Sequence, residues 1–277
     1  MTSDSGSNGA EHWPTPRKIY ERSVAEGNRR LDASGLELVA TGFIAGFTIV
    51  FGIAAQAITA ALLEPEIGAG PAKLAGSLAF GVGLVFLIIG RAELFTENFF
   101  GPVGAAYERR AEGGVVALLA RLWGAILVLN LVGGVVFAAI ISVDGALPAG
   151  APAALNHLAD EIVDRPPSAS LANAIAGGTL ITLLSFLLHA ASSTTARVII
   201  GYLVGVVLAL GPFNHVVVTT LHLAFGVLHD GPSVGDGIPD VALALAGNML
   251  GGLGFVTLTH IAQAKGEPPP RSHHDSE

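Results

Sequence analysis

The chain has 277 residues and a formal net charge of −8, and its composition argues against a soluble protein. Charged residues make up only 13% of it, about half of the roughly 25% found in ordinary globular chains. Hydrophobic residues make up 51%, and the mean hydropathy is +0.62. A chain with so little charge must turn much of its surface to lipid, which predicts an integral membrane protein. The negative charge argues against a nucleic-acid partner, and the absence of cysteine excludes disulfides and thiolate metal sites.

Both ends of the chain are polar. Residues 1–34 have no apolar core of the kind that a secretory signal carries, so they predict a retained cytoplasmic tail. Within this tail, residues 16–32 are rich in charged residues, with Ile19, Tyr20 and Val24 interspersed. That pattern suits either a short helix at the level of the lipid headgroups or a plain flexible tail. Residues 265–277 predict a disordered cytoplasmic tail.

Six apolar stretches between the tails are long enough to cross about 30 Å of hydrocarbon. They cover residues 35–63, 73–100, 115–141, 171–191, 198–228 and 241–261, so residues 35–264 form one membrane domain. Six crossings put both termini on one side, where eleven of the 14 Lys and Arg residues fall, against two on the other side. The positive-inside rule then predicts a multi-pass protein of the plasma (inner) membrane with both termini in the cytoplasm.

Two of the six stretches are interrupted. The second runs into the sequence GRAELFTEN at residues 90–98, and the fifth runs into GPFNH at residues 211–215. A glycine followed by proline breaks a helix, because proline lacks a backbone donor. Three charges within residues 91–97 are tolerated at membrane depth only where they face protein or a cavity. Paired breaks in two halves of a chain are typical of a transporter binding site.

An internal repeat supports this pairing of the breaks. The pattern N-x-x-G-G begins at Asn130 in the third stretch and at Asn248 in the sixth. The same spacing carries Phe95 onto Phe213, so the two breaks are predicted to superpose; the alternative is a chance match in a glycine-rich apolar sequence. Each half has three spans, so the halves must be inverted relative to each other. The predicted fold class is an all-α membrane protein with six transmembrane helices in a 3+3 inverted repeat.

These motifs resemble the formate–nitrite transporter family: G-x-x-E-L-F-T-x-N at the end of span two and F-x-H inside a broken span five. The resemblance implies an aquaporin-like fold and a homopentamer in which each protomer has its own pore for small monovalent anions. It implies that Thr96 is the threonine of the loop that breaks span two and that His215 is the histidine at the pore centre. It also implies that Phe80 lies in the cytoplasmic constriction of the pore and Leu84 in the outer one.

The chain also departs from the family pattern. The residue before the histidine is typically acidic in the family and is Asn214 here. Leu208 stands where a second aromatic residue is usual, and Thr219 stands where an asparagine is usual. These departures indicate a divergent branch of the family and leave the substrate open.

His215 is the sharpest candidate, because a neutral imidazole at the middle of a membrane can take or give a proton; the alternative is a buried histidine that bonds the carbonyls freed by Pro212. Thr96 can offer its hydroxyl to an oxyanion or cap the half-helix that follows the break. For His222, helix packing and pore lining both remain open. The predicted substrate path is lined by His215, Thr96, Phe80, Leu84, Leu94, Leu208, Phe213, Asn214, Thr219 and His222.

The charged residues of the first break predict a structural role. Arg91, Glu93 and Glu97 are expected to form a buried, salt-bridged cluster that holds the loop; a lone Arg91 facing the pore would instead be a selectivity element. Asn130 and Asn248 are expected to tie helices together.

No catalytic motif occurs in the sequence, which predicts a protein that is not an enzyme and needs no metal or cofactor. The leading hypothesis is a channel or transporter for a small monovalent anion or its conjugate weak acid, working as a homopentamer in the lipid bilayer. A facilitator of a small neutral solute is a second hypothesis, although neither break carries the N-P-A triplet of aquaporins. A membrane scaffold or sensor that transports nothing is a third.

Overall fold

The computed structural model describes residues 13–268, and the regular elements in that range are all helical. The helices in chain order are α1 (Pro16–Leu31), α2 (Gly35–Ile67), α3 (Ala69–Ile89), a 3-10 turn (Phe95–Phe99), α4 (Gly101–Glu108), α5 (Val115–Ile141), α6 (Ala151–Val163), α7 (Pro167–Ala190), α8 (Thr194–Leu210), α9 (Val216–Leu228), α10 (Val234–Met249), a π-helical segment (Leu250–Leu258) and α11 (Thr259–Gly266). Of the predicted C-terminal tail, residues 265–266 belong to α11, and residues 269–277 lie outside the described residues.

Six crossings are assembled from these elements. Five helical stretches in residues 13–268 are long and apolar enough to span a membrane: α2, α3, α5, α7 and the continuous run from α10 to α11. The remaining crossing is made of two shorter apolar helices, α8 and α9, which are separated by the second break. The first break lies between α3 and the 3-10 turn. The predicted six-span fold with spans two and five interrupted is therefore confirmed.

The two halves share one type of close helix contact. Gly46 of α2 faces Asn130 of α5, and a methyl group added at Gly46 would lie 2.1 Å from the Asn130 carbonyl oxygen. Gly178 of α7 faces Asn248 of α10 in the same way, with a distance of 2.3 Å to the Asn248 Cα. Only glycine allows these backbones to approach so closely, as in other membrane-helix interfaces. The repeated N-x-x-G-G pattern thus marks equivalent helix crossings in the two halves.

Helix α1 packs on the protein rather than extending away from it. Thr15 caps its N-terminus, Pro16 occupies the first turn, and its buried face includes Ile19, Tyr20 and Leu31. Gly27 lies directly against α4, since an added methyl group would come within 2.2 Å of the Gly101 carbonyl oxygen. Helix α1 also contacts the C-terminal segment through a hydrogen bond of 2.8 Å from the Arg17 amide to the Glu267 carboxylate. Both described ends of the chain therefore lie on one side, which we call the terminal side; the opposite side is the far side.

Helix α6 was not predicted from the sequence. It lies in the connection between the third and fourth spans, where its buried residues Ala159 and Ile162 form a small apolar cluster with Leu223 of α9. It has 13 residues and several of them are polar or charged, so it is too short and too polar to cross the bilayer and does not stand out as a span in the sequence. Its position places it over the far-side end of the second break.

Candidate permeation path

Asn130 organises the first break, which covers residues 90–94. Its Oδ1 accepts a hydrogen bond of 2.9 Å from the Phe95 amide. Its Nδ2 donates to the carbonyls of Gly42 and Glu93, at 3.0 Å each. Where a helix stops inside a membrane, freed backbone groups need such partners, because lipid offers none.

Asn248 organises the second break, which covers residues 211–215, in the same way. Its Oδ1 accepts from the Val216 amide at 2.8 Å, and its Nδ2 donates to the carbonyls of Ala174 and Asn214 at 2.8 Å each. The two asparagines thus make matching sets of three bonds. Beyond tying helices together, as expected, each holds the backbone of a break in place.

These matching bonds correct the predicted alignment of the breaks. Phe95 corresponds to Val216 and not to Phe213, because these are the residues whose amides bond the two asparagines. Glu93 likewise corresponds to Asn214. The breaks are therefore shifted by three residues from the single spacing that relates Asn130 to Asn248. The shift arises because the connections between spans differ in length between the halves, which one fixed spacing cannot accommodate.

The two breaks meet at Thr96 and His215, which we call the central pair. Thr96 Oγ1 lies 2.6 Å from His215 Nε2, and neither residue has exposed surface. His215 Nδ1 accepts a long bond of 3.5 Å from the Val218 amide at the start of α9. If Nδ1 is the acceptor, the neutral ring carries its proton on Nε2 and donates it to Thr96. The hydroxyl proton of Thr96 then remains available for another acceptor.

Apolar side chains surround the central pair. Phe80, Leu84, Leu94 and Leu208 are each at most 3% exposed. Phe80 and Leu208 also line a cavity of about 70 Å³ on the far side, which we call the far-side cavity. The other predicted path residues that line this cavity are Phe213, Asn214, Thr219 and His222.

The position of Phe80 corrects the expectation drawn from the family resemblance. Phe80 was expected on the cytoplasmic side, the predicted side of the termini, but it lines the far-side cavity together with Lys73 and Arg165. The reason is the direction of α3, which begins near Lys73 on the far side and reaches the first break at its other end. Leu84 lies one turn further along α3 and is fully buried beside Gly205, so it lies deeper than Phe80.

A second cavity of about 750 Å³ opens on the terminal side, and we call it the terminal-side cavity. Its lining carries five arginines (Arg22, Arg29, Arg30, Arg91 and Arg197) and three glutamates (Glu26, Glu93 and Glu97). The far-side cavity carries Lys73 and Arg165 against Glu161. Both cavities thus hold more basic than acidic groups, although the chain as a whole is acidic.

The expected cluster of Arg91, Glu93 and Glu97 does not form. Glu93 pairs instead with two arginines of α1, at 3.0 Å from Arg29 and 3.1 Å from Arg30. Arg91 is exposed, and the described residues show no ion pair between it and either glutamate. Its backbone has a left-handed φ of 53°, and its side chain lines the terminal-side cavity. The structural role predicted for Arg91 therefore belongs to Arg29 and Arg30.

Glu26 of α1 completes this ion-pair network. It bonds Arg29 at 2.7 Å and Arg30 at 3.2 Å. Burial of the Glu26 carboxyl opposes its ionisation, but the hydrogen bonds and charges of Arg29 and Arg30 outweigh burial and lower its pKa to about 2. Arg30 also donates to Asn98 Oδ1 at 3.2 Å, which connects α1 to the 3-10 turn that carries Thr96.

Sequence reasoning missed two polar residues of the far-side cavity. Arg165, in the connection between α6 and α7, donates to Asn214 Oδ1 at 2.7 Å. Gln56 of α2 lines the same cavity. Arg165 was detectable as one of only two basic residues in the predicted outer loops, whereas nothing in the sequence distinguishes Gln56 from a residue that packs between helices.

Comparison with known proteins is consistent with this geometry. A family model described as formate/nitrite transporter matches residues 17–262. The inner membrane protein YfdC of Escherichia coli (strain K12) is 27% identical over 250 residues, which cover 90% of this chain and 79% of that protein. A solved structure described as an FNT family ion channel has a TM-score of 0.72 at 19% identity and covers 88% of this chain and 98% of its own. Another, described as a pentameric formate channel with formate bound, has a TM-score of 0.65 at 17% identity and covers 82% of this chain and 96% of its own.

Proposed function

The chain belongs to the formate/nitrite transporter family, and on that premise we propose that each protomer conducts a small monovalent anion or its conjugate weak acid past Thr96 and His215. The solved relative described as a pentameric formate channel with formate bound supports a formate-like substrate and a ring of five protomers. We further propose that the protein lies in the inner membrane with both termini in the cytoplasm, as the distribution of basic residues indicates.

The observation that carries the proposal is the central pair, buried between two cavities that both hold an excess of basic groups. A positive field at each mouth attracts anions and raises their local concentration. Charge of the same sign at both mouths suits passive flow of an anion in either direction. A facilitator of neutral solutes would gain nothing from it.

The apolar side chains around the central pair, which we call the apolar collar, oppose the passage of an anion. An anion that loses its water among Phe80, Leu84, Leu94 and Leu208 pays a large desolvation cost, whereas a neutral acid pays much less. In the tautomer with the proton on Nε2, His215 donates to Thr96, and the Thr96 hydroxyl proton is available to the anion. A proton that reaches the anion through this pair, or through water beside it, lets a neutral acid cross the collar. Reprotonation from solvent then restores the pair.

Uptake into vesicles made with the purified protein tests the proposal. We expect labelled formate or nitrite to enter faster than into protein-free vesicles, and the rate to rise as the external pH falls, because protonation accompanies passage. Shrinkage and recovery after an osmotic step with glycerol, in the same vesicles, reports a neutral-solute facilitator. Glycerol flow without formate or nitrite flow contradicts the proposal, and the absence of all three flows supports a scaffold or sensor.

A further inference from the structure

Two polar side chains of the far-side cavity have buried atoms without a partner. Gln56 is 6% exposed, and its Oε1 makes no hydrogen bond within the described residues. His222 Nε2 is likewise buried and unbonded in the same range of the chain. Both residues line the far-side cavity, one from α2 and the other from α9. Buried polar atoms are nearly always satisfied, so two orphans on one cavity point to a ligand that satisfies them.

The cavity is large enough for such a ligand. Its volume of about 70 Å³ is several times the roughly 10–15 Å³ that a single water needs on the same measure. Thr219, four residues after His215 and three before His222, lines the cavity from the same face of α9. The cavity therefore runs along the helix that begins at the central pair, on the far side of the apolar collar.

The chemistry of the two side chains selects the kind of ligand. A glutamine amide and a neutral imidazole each offer both a donor and an acceptor. A carboxylate anion can only accept hydrogen bonds, so it pairs with the donors of the protein alone. A small carboxylic acid has an O–H beside a C=O, so it pairs with a donor and an acceptor of the protein at once. Lys73 and Arg165 on the cavity wall add positive charge, which attracts the anionic form. The lining thus suits both forms of one weak acid.

We propose that Gln56 and His222 form a binding subsite for a small carboxylic acid and its anion in the far-side cavity, separate from the central pair. This inference rests on the proposed transport function, for which the subsite is the loading position on the far side. A ligand held there lies next to Phe80 and Leu208 of the collar, which line the same cavity. Loss of the subsite therefore weakens the binding of substrate that enters from the far side.

Line broadening of ¹³C-labelled formate by the protein in lipid nanodiscs tests the subsite directly. We expect wild type and His215→Phe to broaden the signal, because the subsite does not include the central pair. Gln56→Leu and His222→Phe should weaken formate binding about three- to tenfold, the effect of one lost hydrogen bond. His222→Gln, which keeps a donor and an acceptor, should retain binding. His229→Phe is the matched control, because His229 follows the last residue of α9, seven residues after His222, and does not line the cavity.

Transport measurements separate failure of the subsite from failure of the channel. Gln56→Leu and His222→Phe should raise the half-saturating formate concentration for flow from the far side and leave that from the terminal side unchanged. If either variant fails to assemble, Gln56→Met and His222→Leu replace it. The subsite is overturned if Gln56→Leu and His222→Phe, or the variants that replace them, broaden the formate signal as much as wild type does. If wild-type vesicles carry neither formate nor nitrite, the proposed function fails, while the broadening data still decide whether the subsite exists.

Discussion

At the scale of single residues, the central pair is a side-chain contact between the two halves of the repeat. Each half supplies one partner, and the bond of 2.6 Å lies where no surface is exposed. Removing one partner of a buried hydrogen bond is costly, because the group that remains cannot bond to water instead. The same isolation suits the proposed role of the pair, because a buried hydroxyl and imidazole can pass a proton where bulk water does not reach.

Substitutions at the central pair should therefore affect transport more than assembly. We expect His215→Phe to lose most formate transport and Thr96→Val to lose less, because water can replace the hydroxyl as a relay. Thr96→Ser, which keeps the hydroxyl, should stay near wild type. Uptake into vesicles measures the rates, and size-exclusion chromatography checks the oligomer. A His215→Phe protein that assembles and transports at the wild-type rate and pH profile would show that the histidine is only structural.

Sequence reasoning identified both members of this pair, because each follows a recognisable interruption of an apolar stretch. It could not identify the partners of Glu93 or Asn214. Arg29 reaches Glu93 across the fold, and Arg165 reaches Asn214 in the same way. Such pairings depend on how helices pack. Arg91, the nearest basic residue in the sequence, was a misleading guide because it is exposed while Glu93 pairs with Arg29 and Arg30.

At the scale of elements, each break depends on one asparagine from a neighbouring span. Asn130 and Asn248 each make three backbone hydrogen bonds: two to groups of a break or the residue after it, and one to a carbonyl of a neighbouring helix, α2 or α7. The breaks are thus held by side-chain amides rather than by regular secondary structure. This arrangement leaves the side chains of the break free to face the path.

We expect Asn130→Ala and Asn248→Ala to lower the thermal stability of the purified protein and to reduce transport. Each change leaves buried backbone groups unpaired, at about 1–3 kcal/mol for every group without a new partner. Asn156→Ala is the control, because Asn156 makes one bond, to the His229 carbonyl at the far-side end of α9. Melting followed by tryptophan fluorescence measures the difference. Equal losses in the control and the two break variants would contradict this role.

Helix α1 is held by charges as well as by its apolar face, and this predicts a pH dependence. The pKa of Glu26 is about 2 in the folded protein against an ordinary value of 4.5, so ionised Glu26 favours the docked helix. That contribution is complete above pH 4.5 and is lost as the pH falls from 4.5 towards 2. We therefore expect the melting temperature of wild type to fall over this range more steeply than that of Glu26→Gln.

Glu21→Gln is the matched control for this pH dependence. Glu21 lies on the exposed face of the same helix, so its neutralisation should leave the wild-type pH profile unchanged. Identical pH profiles for wild type and Glu26→Gln would show that the ion pairs of Glu26 do not stabilise the docked helix.

At the scale of the whole molecule, the sequence predicted most of the architecture because the membrane imposes simple rules. Long apolar stretches must be helices there, and their number fixes the relation between the termini. The bounds of the third span agree at both ends with α5. Helix α6 escaped prediction because it need not satisfy these rules, and the shift between the breaks escaped because one spacing cannot describe connections of unequal length.

The orientation of the whole molecule in the membrane is a prediction from charge alone, and it decides which cavity faces which compartment. If the termini are cytoplasmic, the loop between α9 and α10 lies outside and the loop between α4 and α5 lies inside. Gly235 and Ala111 are exposed residues on these two sides. The chain has no cysteine, so a cysteine introduced at either position is the only site for a thiol reagent. Gly235 is preferable to Ser233, because the Ser233 side chain caps α10.

We therefore expect an impermeant maleimide, added to intact cells, to label Gly235→Cys and not Ala111→Cys. Ala111→Cys should become labelled once the membrane is permeabilised, which shows that its thiol is reactive. The physical reason is that moving the basic residues of the terminal side across the membrane costs far more than moving Lys73 and Arg165. The reverse pattern would place the terminal-side cavity, with its five arginines, on the outside. In that case anions from outside would enter through the terminal-side cavity, past the ion pairs of α1. The far-side subsite would then serve export instead of uptake.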